Sequence, residues 1–288
     1  MCGIFGVIAT PGNQVDIGTI RALTWANRER GTDSVGFFDS SGKMIKCAED
    51  PKEAIAQENF TKWFKASKKR AWFIAGHTRF ATRGKVNHKN SHPFRYGKIV
   101  GSHNGICDAP AKFDVDSEHL FWALNKHKGD YNAALGDISG YWGLSWFDGS
   151  HFWLMKHNAE LHLAEADGIY YYSSDEDHLA ACVGDAGVAV QDGEVWRFGR
   201  DGSVECSSDK DSSIKPFEST VRYKYSKYSR KYKDVNWGDY TDYSTSRDYD
   251  DDWAKSWLEY CNEDESEAAK TIHGLTDEEW DEYQRYSG

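Results

Sequence analysis

Met1-Cys2-Gly3-Ile4-Phe5-Gly6-Val7-Ile8-Ala9 opens the chain. Residues 2–9 form a short apolar run that reads as a buried strand, ended by Thr10-Pro11-Gly12. At the head of that strand sits a thiol. Removal of Met1 would leave a thiol and a free α-amine on one residue. An N-terminal amine titrates near ~8 and a thiol at about 8.5, so Cys2 would supply both a base and a nucleophile close to neutral pH. The bland alternative is a small buried hydrophobe. The rest of the chain decides between them.

Working outward, Ile17, Ile20, Leu23 and Thr24 fall at helical spacing, which predicts a helix over 16–29 closed by Gly31. Ser34 to Phe38 reads as a strand, with Asp39-Ser40-Ser41-Gly42 as its hairpin turn. A helix is expected over 52–66, with Ala54, Ile55, Phe60, Trp63 and Phe64 as core positions. Strands are expected over 71–77 and 98–103, and a helix over 117–126. From 139 onward, short strands alternate with Asp148-Gly149, Asp167-Gly168, Asp192-Gly193 and Asp201-Gly202, the pattern of an antiparallel meander. Strands with separate helices predict an α+β fold of sheets covered by helices.

The chain has 288 residues and a formal charge of −11, which argues against a duplex-binding protein. That charge is unevenly spread. Residues 1–208 are mildly acidic and 209–235 are basic (Lys210, Lys215, Arg222, Lys224, Lys227, Arg230, Lys231, Lys233). Residues 236–288 are strongly acidic. The break predicts a globular body over 2–208, a Tyr/Ser/Lys/Asp-rich flexible linker over 209–250 and an acidic segment over 251–288. That last segment carries Trp253, Trp257, Leu258, Trp280 and Tyr283, which suggests short amphipathic helices and a partner-docking role. The Tyr/Lys/Arg stretch at 222–233 could stack on single-stranded nucleic acid, but a solvated linker is the favoured reading. No signal peptide is read at the start, and no run approaches the roughly 20 apolar residues of a membrane span. The six cysteines are scattered without a CxxC pair, so a reducing, cytoplasmic setting is expected.

Four segments make chemical sense together. Cys2 is the first. Gly76-His77-Thr78-Arg79-Phe80-Ala81-Thr82-Arg83-Gly84 is the second, where a strand ends in a polar loop and an arginine can grip a carboxylate bidentately. In His103-Asn104-Gly105, read as another strand end, an amide and the next backbone N–H can stabilise an oxyanion. Asn104-Gly105 alone would read as a turn. Asp116-Ser117-Glu118 begins a helix, where Asp116 could bind an amine or simply cap. Together these are what the side-chain amide of an α-amino acid needs. There is a thiol for the amide carbon, donors for its oxygen, an arginine for the α-carboxylate and an acid for the α-ammonium. His77, His88, His92 and His103 match no zinc spacing, so no metal is expected.

Cys2-Gly3-Ile4, Arg30-Gly31-Thr32-Asp33-Ser34-Val35-Gly36, Gly76 to Thr82, Ser91-His92-Pro93 and His103-Asn104-Gly105 closely resemble the class II glutamine amidotransferase domain. The spacing is most like that in glucosamine-6-phosphate synthase and amidophosphoribosyltransferase. Ile138 to Gly143 and Tyr172 to Glu176 look like the closing strands of that domain, so the resemblance covers about residues 2–200. It implies a four-layer αββα sandwich of the N-terminal nucleophile hydrolase type, plus a polar C-terminal tail. It implies glutamine hydrolysis to glutamate and ammonia through a Cys2 thioester, with no cofactor. Carried over by position, Cys2 is the nucleophile, and Asn104 and Gly105 form the oxyanion hole. Arg79 holds the glutamine carboxylate with Thr82 helping, and Asp116 holds its ammonium. Arg30 braces the Cys2 terminus, while His77 and His92 organise loops.

The departures are Arg83 in place of a histidine and Phe80 in place of a tryptophan in the glutamine loop, which bear on loop closure and coupling to an acceptor. Relatives carry a synthase-type domain, and the residues after 208 are too few and too polar to build one. The expectation is a glutaminase subunit that passes ammonia to a separate acceptor protein. The alternatives are a hydrolase of another γ-glutamyl amide, or an inactive amidotransferase fold used as an assembly or inhibitory module.

Overall fold

A computed structural model describes residues 2–208. The expected linker at 209–250 and the acidic segment at 251–288 lie outside the described residues. No helix among the described residues is long and apolar enough to cross a membrane.

Two antiparallel sheets organise the described residues. The first holds β1 (Gly3–Ala9), β2 (Ser34–Asp39), β3 (Met44–Cys47), β4 (Phe73–Arg79), β9 (His162–Ala166), β10 (Ile169–Ser173) and β11 (Val188–Ala189), in the order β11-β9-β10-β1-β4-β2-β3. The second holds β5 (Phe94–Tyr96), β6 (Ile99–Cys107), β7 (Gly140–Phe147), β8 (His151–His157), β12 (Glu194–Gly199) and β13 (Val204–Ser208), in the order β13-β12-β8-β7-β6-β5. Helices α1 (Ile17–Asn27), α2 (Pro51–Ile55), α3 (Glu58–Arg70) and α6 (Glu176–Val183) cover the first sheet. Helices α4 (Asp116–Lys126) and α5 (Tyr131–Leu135) cover the second.

Period-two alternation fixes these layers. On β1, Phe5, Val7 and Ala9 face the helices with Ile20, Leu23, Phe37, Phe60 and Phe64. Ile4 and Ile8 face the opposite way, into an inter-sheet core with Phe38, Phe73, Phe147, Phe152 and Leu154. A third core packs Trp142 and Trp146 of β7 against Phe121 and Leu124 of α4. With both faces covered, β1 is buried throughout, which is why it reads as an unbroken apolar run rather than an alternating one. The result is the αββα sandwich expected from the resemblance. It places β1 between β10 and β4, so Cys2 enters at the end of a central strand.

Several local expectations are corrected. The single helix over 52–66 is two helices, because Gln57 adopts extended backbone (φ −71°, ψ 145°) before α3 starts. This reset places Phe60 and Phe64 edge-on to Phe37, with ring centroids 6.1 and 5.0 Å away. Gly31 closes the helical stretch as expected, its amide donating to the Arg28 carbonyl, but in extended backbone (φ −176°), and its lack of a side chain serves close packing, since a Cβ would lie 2.2 Å from the Arg79 carbonyl carbon. The strand expected over 98–103 continues to Cys107, so His103-Asn104-Gly105 lies inside β6 and is no turn.

The meander after 139 is split between the sheets. The β9–β10 hairpin crosses to the first sheet and pairs Tyr172 with Gly6 of β1. A Cβ on Gly6 would lie 2.4 Å from the Tyr172 ring, so the glycine makes room for it. Helix α6 interrupts this stretch. Its signals are Asp175, whose carboxylate accepts the Asp177 and His178 amides, and Gly184 in the left-handed conformation (φ 79°).

Candidate active site

The terminus of β1 is held from several sides. Arg30 donates through Nε to the Cys2 carbonyl at 3.0 Å and through Nη1 to Asp175 at 2.8 Å. Arg30 is buried, so this double engagement satisfies a charge that would otherwise be costly. Burial alone would raise the Asp175 carboxyl, but His178, Arg30 and their hydrogen bonds hold it below the ordinary carboxylate value. Ser174 accepts the Ile4 amide through Oγ at 3.1 Å and donates its own amide to the Ile4 carbonyl at 2.8 Å. Gly3 is pressed against α1: a Cβ there would lie 2.4 Å from Asn27 Oδ1.

Beside the thiol runs the 80–85 loop. The Phe80 amide donates to Cys2 Sγ at 3.4 Å. Arg79 is buried, and its guanidinium donates to the carbonyls of Arg83 at 2.6 Å and Lys85 at 3.2 Å. Asp33 holds the start of the loop, accepting the Ala81 amide at 2.7 Å while its own amide donates to the Arg79 carbonyl at 2.9 Å. Thr82 stands exposed on this loop. Phe80, whose backbone meets the thiol, and Ile106, next to Gly105, are 51% and 46% exposed.

Asn104 and Gly105 pair with Gly143 and Trp142 of β7. Gly105 has φ 145°, and a Cβ on it would lie 2.0 Å from the Tyr141 carbonyl. Gly105→Ala is therefore expected to cost roughly 3 kcal/mol in urea unfolding, from strain and overpacking together. A loss under about 1 kcal/mol would contradict this account. Asp116, at the start of α4, does not cap its helix; its carboxylate accepts the Cys107 amide at 3.0 Å. That bond ties α4 to the strand carrying Asn104.

Behind these groups lies a stack of histidines. His77 and His92 rings stack with centroids 3.8 Å apart. His77 Nε2 donates to the His103 carbonyl at 3.0 Å, and His103 Nδ1 meets Ser117 Oγ at 2.8 Å. Burial pushes His77 down to about 3 and His92 well below its ordinary value, so both are neutral at physiological pH.

The structure thus brings Cys2, just before β1, within electrostatic reach of Arg79 of β4 and Asp116 of α4, and Asp116 is tied to β6, the strand carrying Asn104 and Gly105. Desolvation pushes the Cys2 thiol up, opposed by the Phe80 amide and Arg79 and reinforced by Asp116. Arg79 in turn is pushed down by burial and up by Cys2, Asp33 and Asp116. A thiol, a cation and an anion therefore lie within electrostatic reach of one another. The raised thiol stays protonated at neutral pH, so any attack by sulfur needs a base at hand. Asp33 and Asp175 were not singled out from sequence, although both lie inside quoted motifs. Among the described residues, no cluster of three His, Cys, Asp or Glu could hold a metal ion.

Comparison with known proteins gives the arrangement a context. Residues 17–126 match the family model described as glutamine amidotransferases class-II. That span includes every predicted site residue except Cys2. The isomerizing glutamine–fructose-6-phosphate aminotransferase of Gluconobacter oxydans is 25% identical over 206 residues, covering 62% of this chain and 33% of its own length. Human amidophosphoribosyltransferase is 30% identical over 117 residues, covering 36% of this chain and 22% of its own. The matched region therefore spans a third or less of each relative. Among solved structures, the glutamine phosphoribosylpyrophosphate amidotransferase from B. subtilis complexed with ADP and GMP superposes with a TM-score of 0.58 at 16% identity. It covers 72% of this chain and 49% of its own, and shares the fold.

Proposed function

We propose that this chain, whose residues 17–126 match the class II glutamine amidotransferase model, hydrolyses L-glutamine to glutamate and ammonia and hands the ammonia to an acceptor enzyme on a separate chain. The observation that carries this reading is the convergence of Cys2, Arg79 and Asp116 within mutual electrostatic reach, beside Asn104 and Gly105.

In this mechanism Met1 is removed. The free α-amine of Cys2 takes the thiol proton, directly or through water, and Sγ attacks the γ-amide carbon. Asn104 and the Gly105 amide receive the negative charge that develops on the amide oxygen. Collapse expels ammonia, which carries the proton away, and leaves the thioester. Water attacks the thioester, giving its proton to the amine and then the sulfur, and glutamate leaves. Arg79 binds the α-carboxylate with donors beyond the two held by Arg83 and Lys85, as a guanidinium has five N–H groups. Asp116 binds the α-ammonium, and Thr82 supports the carboxylate through its backbone. Arg30 fixes the Cys2 carbonyl, hence the direction of the amine.

The exposed Phe80, whose amide meets the thiol, favours a second substrate for the same machinery. A γ-glutamyl amide with a leaving amine larger than ammonia would find contact surface there. Competition between glutamine and γ-glutamyl compounds in one assay separates the two.

The decisive measurement is glutamate release by protein whose intact mass shows Cys2 as the first residue, alone and with co-purifying partners. Turnover that appears with the trimmed terminus and is lost when Met1 is retained is the expected result. No turnover under any of these conditions would sink the proposal.

A further inference from the structure

Lys46 on β3 points its ammonium at backbone oxygens. Its Nζ donates to the Ser91 carbonyl at 2.7 Å and the Pro93 carbonyl at 3.1 Å, and lies 5.1 Å from the Phe94 ring centroid. The residue between those two carbonyls is His92. Directly across the strand pair from Lys46 is Gly36 of β2. A Cβ on Gly36 would lie 2.1 Å from the His92 carbonyl, so the glycine provides a flat seat for the same segment. His92, held from both sides, stacks on His77, and His77 binds the His103 carbonyl. His77 stands two residues before Arg79 on the same face of β4. His103 immediately precedes Asn104.

We propose that Lys46 is a positioning residue for the reaction centre: by clamping the Ser91 and Pro93 carbonyls it seats His92 against His77 and so fixes Arg79 and Asn104 relative to each other. The kinetic part of this inference rests on the glutaminase reading; the structural part does not.

The groups acting on Lys46 are Glu118 of α4, whose carboxylate accepts the Tyr96 hydroxyl of β5 at 2.7 Å, and His92. Desolvation brings the ammonium down to about 8, against the opposing charge of Glu118. His77 and His92 are already neutral, so between pH 7 and 9 the charge in this stack that changes is that of Lys46. Losing it replaces charge-assisted hydrogen bonds by weaker neutral ones. The sign for stability is the reverse. Lys46 titrates lower in the folded chain than its ordinary value of 10.5, so between about 8 and 10.5 the unfolded chain binds more protons. In that window this group adds stability as pH rises while the clamp weakens. An alkaline loss of activity through Lys46 therefore comes without a fall in Tm from the same group.

The test uses full-length protein with a verified Cys2 terminus, comparing wild type, Lys46→Met and Lys46→Arg. Lys46→Met should lower kcat/KM about tenfold. Lys46→Arg should stay within about threefold and lose the alkaline limb that begins near pH 8, because a guanidinium keeps its charge. Independently of activity, the ring-nitrogen NMR signals of His77 and His92 should shift in Lys46→Met, and in wild type should titrate with a midpoint near 8 that is absent from Lys46→Arg. If wild type turns over no glutamine, the glutaminase reading fails and the NMR comparison alone decides. If Lys46→Met does not fold, the wild-type titration against Lys46→Arg decides. Wild-type kcat/KM with unmoved ring signals in Lys46→Met, or an unchanged alkaline limb and titration in Lys46→Arg, overturns the proposal.

Discussion

Cys2→Ala should reduce glutamate release from glutamine by at least ~10⁴-fold, because it removes the atom that would form the proposed covalent intermediate. Cys107→Ala should remain within about threefold of wild type. The two thiols make a controlled pair. Cys107 is buried, is pushed up by desolvation, and directs its Sγ at the Asp116 carbonyl at 3.6 Å. It packs in the core with Val115, Leu120 and Phe121. Cys2 is half-buried, and its sulfur accepts the Phe80 amide at the mouth of the loop. The assay is coupled glutamate detection with intact-mass control of the terminus. Residual activity above about 1% in Cys2→Ala, or equal losses in both variants, would remove Cys2 from the role of nucleophile.

Asn104→Ala should lower kcat by roughly 10²–10³ with KM within about threefold, the pattern expected when a donor acts on charge that exists only in the transition state. Asn104→Asp should be at least as damaging, since it places a carboxylate of the same size against the developing oxyanion. Asn104 is 6% exposed and lies in the middle of a paired strand, so its Tm must be followed in parallel. A variant that keeps kcat and raises KM would show Asn104 contacting substrate rather than the oxyanion.

A candidate site can be read in the sequence because its residues come as short motifs of unusual types. Cys2 with Gly3, Arg79 at a strand end, Asn104 with Gly105, and Asp116 each suggest one function, and only an amide of an α-amino acid needs all of them. The strand of residues 2–9 was readable because both its faces are covered, which leaves an unbroken apolar run. Other features were hidden for physical reasons. Asn104-Gly105 looks like a turn because the local preference of the pair is for one; β7 overrides it by pairing across the dipeptide. The transfer of β9 and β10 to the first sheet depends on Tyr172 fitting over Gly6, two residues 166 apart in number, and no local pattern carries that. Helix α6 was overlooked although Asp175 and Gly184 mark its ends, because the hairpin signals on either side are stronger. Lys46 gave no signal, since its partners are backbone carbonyls and any sequence supplies those.

The bridge from the Cys2 carbonyl through Arg30 to Asp175 joins the second residue of the chain to one made long afterwards. On a ribosome, β1 is made some 170 residues before its partner β10 and the capping carboxylate. Through that interval the Cys2 end of β1 lacks the Arg30–Asp175 brace. Its bracing is complete only when the sheet is, so the surroundings of Cys2 are among the last parts of the fold to assemble.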